Sequence, residues 1–199
     1  MSQINIRIAE DKDILYTPKI SQWYERSSKE RGTGIAIRTP EYLETKIVNG
    51  NAIIAFVDQV LAGFCYVEVF SSGEYVSNSG LIVTHEFRGM GLAKKIKALA
   101  FQHARMTNPK AKVFGITTSD IVMDINSNLG YRPVSFGQLT TDDEFWKGCS
   151  SCKNYDILTR NERKMCLCTA MLAPSKNEQT DLNQKKEDLT DQKEQNEQD

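Results

Sequence analysis

Leu81-Ile82-Val83-Thr84-His85-Glu86-Phe87-Arg88-Gly89-Met90-Gly91-Leu92-Ala93-Lys94-Lys95 decides the fold of this chain. An apolar strand runs into a short turn carrying Gly89 and Gly91, and the turn opens directly into a helix. The two glycines let backbone N–H groups point at one spot. A helix N-terminus behind them adds a partial charge of about +0.5 e. Together these features cradle a phosphate or pyrophosphate without needing a side chain.

Spacing removes the other glycine-loop motifs. A P-loop needs Gly-x-x-x-x-Gly-Lys-Ser/Thr, and no such run is present. A dinucleotide fingerprint needs a third glycine where Lys94 stands. Gly32-Thr33-Gly34 follows no strand. Arg88-Gly89-Met90-Gly91-Leu92-Ala93 does match Arg/Gln-x-x-Gly-x-Gly/Ala, and Asn128-Leu129-Gly130-Tyr131 follows downstream. On these residues the chain resembles the GNAT N-acyltransferase superfamily.

The length of 199 residues suits one domain with tails. A formal net charge of -1 gives no electrostatic reason to expect nucleic acid or an anionic membrane surface. No window holds the apolar run of about 18 residues that a membrane helix needs. Met1-Ser2-Gln3-Ile4-Asn5 lacks a signal peptide's basic-then-apolar pattern, so the chain reads as cytoplasmic and its five cysteines as reduced.

Ile4 to Ile8 alternates as a first strand. Residues 11–29 carry a helical pattern interrupted by Pro18. Thr39-Pro40-Glu41 starts a helix that stops at Asn49-Gly50. Ala52–Val57 and Val60–Phe70 are strands joined through Asp58-Gln59, and Tyr75–Thr84 is the next, with Gly80 marking a bulge. A helix over Gly91–Met106 buries Leu92, Ile96, Leu99, Ala100 and Ala104, with its lysines elsewhere. Val113–Thr118 is a strand, Ile121–Leu129 a helix closed by Gly130, and Tyr131–Phe136 a further strand. This order, antiparallel strands and then strand–helix crossovers, matches the GNAT fold over residues 4–137. The resemblance implies an α/β fold with a mixed, mostly antiparallel central sheet, splayed at its bulged fourth strand and flanked by helices.

Residues 1–137 are thus expected to form the catalytic domain and 138–174 a cysteine-bearing extension. In the extension, Asp142–Trp146 reads as a short helix and Lys164–Leu172 as an added strand. Residues 175–199 have no aromatic residue and hardly an aliphatic one, so a disordered polar tail is expected.

The resemblance also implies a chemistry. Acetyl-CoA would lie between the fourth and fifth strands, with Leu81 and Val83 pairing its pantetheine. Arg88, Gly89, Met90, Gly91, Leu92 and Ala93 would hold its pyrophosphate, and Asn126 would close the far wall. Asn126 stands where this family often has a tyrosine acid, and asparagine supplies no proton. His85 stands where proline is usual and reads as structural. An amine attacks the thioester directly, so a base is needed, and Glu68 and Glu74 are the candidates. For Glu68 the solvated face of a strand remains an equal reading.

Arg31 and Arg38 bracket the glycine-bearing loop on the acceptor side, and arginine grips carboxylates bidentately. A small acidic amino acid such as glutamate is the matching acceptor, and a solvated basic loop is the alternative. Arg31-Gly32-Thr33-Gly34-Ile35-Ala36 and Phe145-Trp146-Lys147-Gly148-Cys149 also resemble a small bacterial group of stand-alone N-acetylglutamate-synthase-like proteins linked to arginine biosynthesis. Polyamine or protein-amine acetylation is an alternative function, and a non-catalytic acyl-CoA-binding regulatory module is one of another class. The chain would be a monomer or homodimer.

Cys149, Cys152, Cys166 and Cys168 form a C-x2-C…C-x-C set whose spacing suits a structural zinc. Apolar core thiols, or a redox pair at Cys149 and Cys152, remain open.

Overall fold

The computed structural model describes residues 2–31 and 35–180, with the Arg31 side chain, Gly32-Thr33-Gly34 and 181–199 outside the described residues. Strand β1 (Ile4–Ile8) leads through a 3-10 turn at Asp11–Tyr16 into α1 (Thr17–Arg31). Pro18 sits in the first turn of α1, where its missing N–H costs nothing. Helix α2 (Pro40–Val48) is capped by Thr39, whose hydroxyl accepts from the Tyr42 amide at 3.3 Å. Strands β2 (Ala52–Val57) and β3 (Val60–Phe70) join at Asp58 and Gln59, both at positive φ as a primed hairpin turn demands. Strand β4 (Tyr75–Val83) follows, then α3 (Leu92–Thr107), β5 (Lys112–Thr117) and α4 (Asp120–Asn128). Strand β6 (Arg132–Val134), α5 (Asp143–Lys147), α6 (Tyr155–Arg160) and β7 (Thr169–Ala173) complete the chain.

The sheet has seven strands in the order β1-β2-β3-β4-β5-β7-β6. Only β4 and β5 run parallel, and they pair over just three positions, ending at Ser77 and Phe114. Beyond that point β4 continues with no neighbour on its β5 side, and β5 continues against β7 alone. The sheet therefore opens into a V between its fourth and fifth strands. Gly80 lies at the bulge on β4, with φ +66° and a register shift opposite Phe64 and Tyr66.

Helix α3 covers one face with Leu92, Ile96, Ala100 and Ala104 against Ile53, Ala55, Val67 and Val113. Helices α1 and α2 cover the other with Ile20, Tyr24, Leu43 and Ile47 against Ile54, Phe64 and Tyr66. A third cluster, built on Phe70, Phe114, Phe136, Phe145 and Trp146, closes the end of the sheet beyond the V.

Three expectations are corrected. First, 138–174 is not an appendage: β7 lies between β5 and β6 and pairs with both, so the sheet takes in residues 4–173 rather than stopping at 137. Without β7, β5 would leave its outer edge unpaired and β6 would have no strand neighbour. Second, the strand read over Lys164–Leu172 begins only at Thr169, and the short helix α6 had no clear periodic signal. Third, residues 176–180 are helical where composition predicts disorder. Ser175 and Glu178 form a reciprocal capping pair there, at 2.7 and 3.2 Å, and Ser175 is buried.

Candidate functional site

A cavity of about 670 Å³ runs from the apex of the V to the α1–α2 face. Its floor at the apex is made by Asn78, Gly80, Leu81, Lys97, Gly115 and Asn126. Outside the cavity proper, the loop after β4 rises to the N-terminus of α3. Gly89 and Gly91 have φ of +82° and +74°, and a side chain added at either would meet nothing within 4 Å. The N-cap position of α3 is Gly91, with no side-chain cap. Among the described residues, the amides from Gly89 to Lys94 donate to no protein acceptor in turns or caps, whereas Lys95 returns to the Gly91 carbonyl at 3.3 Å. A row of unclaimed N–H groups at the end of a sixteen-residue helix is an anion cradle. Arg88 is exposed beside it, its Nε held by the Val83 carbonyl at 3.4 Å.

Leu81 lines the cavity on the unpaired stretch of β4, and Val83 lies two residues on, paired to Gly63. Past the last β5 pair, side chains rather than a strand reach the β4 carbonyls: Lys97 that of Asn78, Tyr24 that of Gly80 and Arg88 that of Val83. Asn126 is buried, its Nδ2 reaching only the Met171 sulfur at 3.6 Å while its Oδ1 has no partner. An orphaned buried acceptor costs stability unless a bound group donates to it.

On the acceptor side Arg38 crosses the cavity wall. Its Nε donates to the Tyr66 hydroxyl at 2.7 Å, its Nη1 to the Gly148 carbonyl at 3.0 Å, and it lies over the Tyr42 ring. Burial opposes its charge, but Tyr66 offsets that and holds its pKa above the usual value. Glu68 also lines this wall, paired with Lys46 at 2.5 Å. Lys46 in turn lies 4.2 Å from the Tyr42 ring centre. Glu74 is not brought to the site: it is exposed in the turn before β4 and lines no part of the cavity. The strand pleat and the Ser71–Gly73 turn put it at the far end of β4 from the bulge.

The four C-terminal cysteines gather along one wall of the same cavity. Among the described residues, however, no group of three or more His, Cys, Asp or Glu is placed to hold a metal ion. The described residues therefore show no ready-made metal set for the zinc expectation, and the thiols stand beside apolar side chains. Cys149, Cys166 and Cys168 pack against the Phe145–Trp146 cluster. Burial pushes the Cys149 thiol up to about 11 and raises Cys168 as well, which keeps both protonated.

Residues that sequence reading missed complete the walls. Tyr24 donates its hydroxyl to the Gly80 carbonyl at the bulge, and Tyr66 is wholly buried beneath it. Lys97, expected on the polar side of α3, is 2% exposed and donates to the Asn78 carbonyl at 3.3 Å. The signal was present: Lys97 shares a helical stripe with Ala93, Ala100, Phe101 and Ala104. His103, on the same helix, is half-buried.

Burial lowers the Lys97 pKa from 10.5 to about 8. Below pH 8 both folded and unfolded chains carry the proton, and the desolvation cost is fully present. Between about 8 and 10.5 only the unfolded chain holds it, so stability rises with pH. Buried tyrosines such as Tyr24 and Tyr131 act in the opposite sense above about pH 10, because burial raises their pKa values. Cys65 and Cys149, which burial pushes up to about 11, act in that same opposing sense from about pH 9, so the Lys97 contribution is read against a variant. Lys97→Met should raise the urea midpoint at neutral pH, and its advantage over wild type should shrink between about pH 8 and 9.5.

No protein-family model and no curated protein matches the sequence. Solved structures do match the fold. N-acetylglutamate synthase from Neisseria gonorrhoeae, complexed with coenzyme A and N-acetyl-glutamate, aligns with a TM-score of 0.62 at 19% identity, over 87% of this chain. The present chain spans 35% of that enzyme's length. A Mycobacterium tuberculosis protein in complex with CoA aligns with a TM-score of 0.61 at 15% identity, over 85% of this chain and 98% of its own. An acetyltransferase of the GNAT family from Staphylococcus aureus aligns with a TM-score of 0.55 at 16% identity, over 70% of this chain and 91% of its own.

Proposed function

The chain has the GNAT fold. From that premise we propose that it is an acetyl-CoA-dependent N-acetyltransferase whose acceptor is a small amine bearing a carboxylate, an acidic amino acid such as glutamate. The observation that carries the reading is the V between β4 and β5, with unclaimed amides at its mouth and an orphaned polar floor at its apex.

In this reading the pyrophosphate rests on the amides from Gly89 to Lys94. The pantetheine runs down β4 from Val83 to Asn78 and takes the hydrogen bonds that β5 leaves unmade, as an added strand would. The thioester then reaches the apex, and the acceptor enters from the α1–α2 side. The amine must be neutral to attack, and Glu68 is the carboxylate on that wall that can take its proton through water. Arg38 presents Nη2, which has no protein partner among the described residues, to the acceptor's carboxylate. Arg31, whose side chain lies outside the described residues, belongs to the same loop and to the same proposal.

Acetyl-CoA turnover, with the product identified by mass spectrometry, tests this. The panel is glutamate, aspartate, ornithine, spermidine and a lysine peptide. Acetylation confined to the acidic amino acids supports the reading. Acetylation of amines lacking a carboxylate moves it to polyamines or protein amines. Tight binding of acetyl-CoA without acetylation of any acceptor leaves a regulatory module. Arg38→Lys keeps the charge but loses the planar fork, so the acceptor KM should rise about tenfold. The Kd of acetyl-CoA should stay within about twofold, and an equal loss of both would count against the assignment.

A further inference from the structure

Among the described residues Lys97 is the only buried lysine. An apolar residue of similar length would fill the same space without desolvating a charge. Its Nζ reaches one protein acceptor, the Asn78 carbonyl, and lies 5.9 Å from the centre of the Tyr131 ring. Two of its N–H bonds have no protein acceptor among the described residues.

Its position is specific. Asn78 is the first residue of β4 after the last β4–β5 pair, Ser77 with Phe114. Across the gap, a Cβ on Gly115 would stand 3.4 Å from the Asn78 carbonyl and 4.0 Å from Asn126 Nδ2. Lys97, Asn78, Gly115 and Asn126 therefore meet at the point where the V closes, and all four line the cavity.

We propose that Lys97 is the catalytic acid that protonates the departing coenzyme A thiolate at the apex of the β4–β5 cleft. This rests on the acetyl-CoA reading above. The acceptor nitrogen bonds to the thioester carbon, the carbon–sulfur bond breaks, and its electron pair goes to sulfur. Sulfur takes a proton from the Lys97 ammonium. The proton shed by the acceptor nitrogen leaves to water through Glu68, and Lys97 regains one from water. The sum is amine plus acetyl-CoA giving amide plus free thiol.

Tyr66 is the competing acid near the apex: its hydroxyl accepts from Arg38 Nε, and burial raises its pKa. Asn126 and Asn78 have no proton to give. Tyr24 spends its hydroxyl hydrogen on the Gly80 carbonyl. Cys65 lies on β3 beside β4, and neither it nor Tyr131 lines the cavity. Burial pushes Cys65 up to about 11 and raises Tyr131, so both stay neutral beside Lys97. Burial brings Lys97 down to about 8, where its proton can be given and regained near neutral pH. Once formed, the thiol finds an acceptor nearby in the orphaned Asn126 Oδ1.

The test compares calorimetric titrations of coenzyme A and desulfo-coenzyme A against the wild-type chain, Lys97→Met and Lys97→Arg. The wild type should bind coenzyme A about tenfold more tightly than the desulfo analogue, because the thiol hydrogen-bonds to Lys97 at the apex and the analogue cannot. In Lys97→Met the gap should close, with desulfo-coenzyme A affinity held within about twofold, and kcat should fall about a hundredfold at little change in the acetyl-CoA KM. Lys97→Arg should keep part of the binding gap but not the rate, since its guanidinium does not release a proton.

Equal affinities for the two coenzymes in the wild type, or unchanged kcat in Lys97→Met, would overturn the proposal while leaving the cofactor reading intact. Failure of both coenzymes to bind the wild type would overturn the cofactor reading and Lys97's role with it.

Discussion

Gly80→Ala should be among the most damaging single substitutions in this protein, lowering stability by about 2 to 5 kcal/mol. Two costs add. The φ of +66° is a left-handed conformation that costs an alanine about 1 kcal/mol or more. The new Cβ would stand 2.2 Å from Tyr66 Cε1 and 2.8 Å from the Tyr24 hydroxyl. Neither ring can move aside freely: Tyr66 is wholly buried, stacked edge-on with Tyr42 and tied to Arg38, and Tyr24 is bonded to the Gly80 carbonyl. Thermal melts should show a fall of about 4 to 20 °C for a domain of this size. The residual folded protein should lose acceptor affinity, because displacing Tyr66 displaces Arg38. A melting temperature within about 2 °C of wild type would show that the bulge is less constrained than its contacts imply.

Gly89→Glu should abolish useful acetyl-CoA binding, raising Kd by about a hundredfold or more, equivalent to about 2.7 kcal/mol. The space above Gly89 is open, so a glutamate side chain enters without a clash and places its carboxylate over the unclaimed amides. It would satisfy those donors internally and repel the incoming phosphates. Gly89→Ala separates the two effects, since it carries the same backbone strain, about 1 kcal/mol, and no charge. Calorimetry should find its Kd within about tenfold of wild type. If alanine weakens binding as much as glutamate does, the loop's conformation rather than its field governs the cofactor. If neither matters, the pyrophosphate is held elsewhere.

Most of the strand and helix plan was legible because its signals are local. Thr39-Pro40 caps a helix, Asp58-Gln59 makes a hairpin, Gly80 makes a bulge and Gly130 ends α4, each through backbone preferences that one or two residues set. The amides of the Arg88–Ala93 turn were legible for the same reason: they depend on two glycines and the helix that follows. What sequence could not show is where distant segments meet. Nothing in Thr169–Ala173 says that it will slide between β5 and β6, since pairing partners are chosen by register and edge satisfaction across more than fifty residues of chain. The C-x2-C…C-x-C spacing suited a metal, but its thiols were drawn into an aromatic cluster that only folding assembles.

The candidate site divides along the same line. The sequence alone determined the glycine turn before α3, the bulged strand beside it and the fold that joins them, because these are short-range consequences of glycine, strand and helix. The tertiary structure alone decided which polar groups stand at the apex. It excluded Glu74, kept Glu68 beside Lys46, tied Arg38 to Tyr66 and carried Lys97 inward from what looked like a solvated helix face. Charge burial is a property of the whole fold: a lysine's place is set by what packs around its stem and which carbonyl its ammonium can reach.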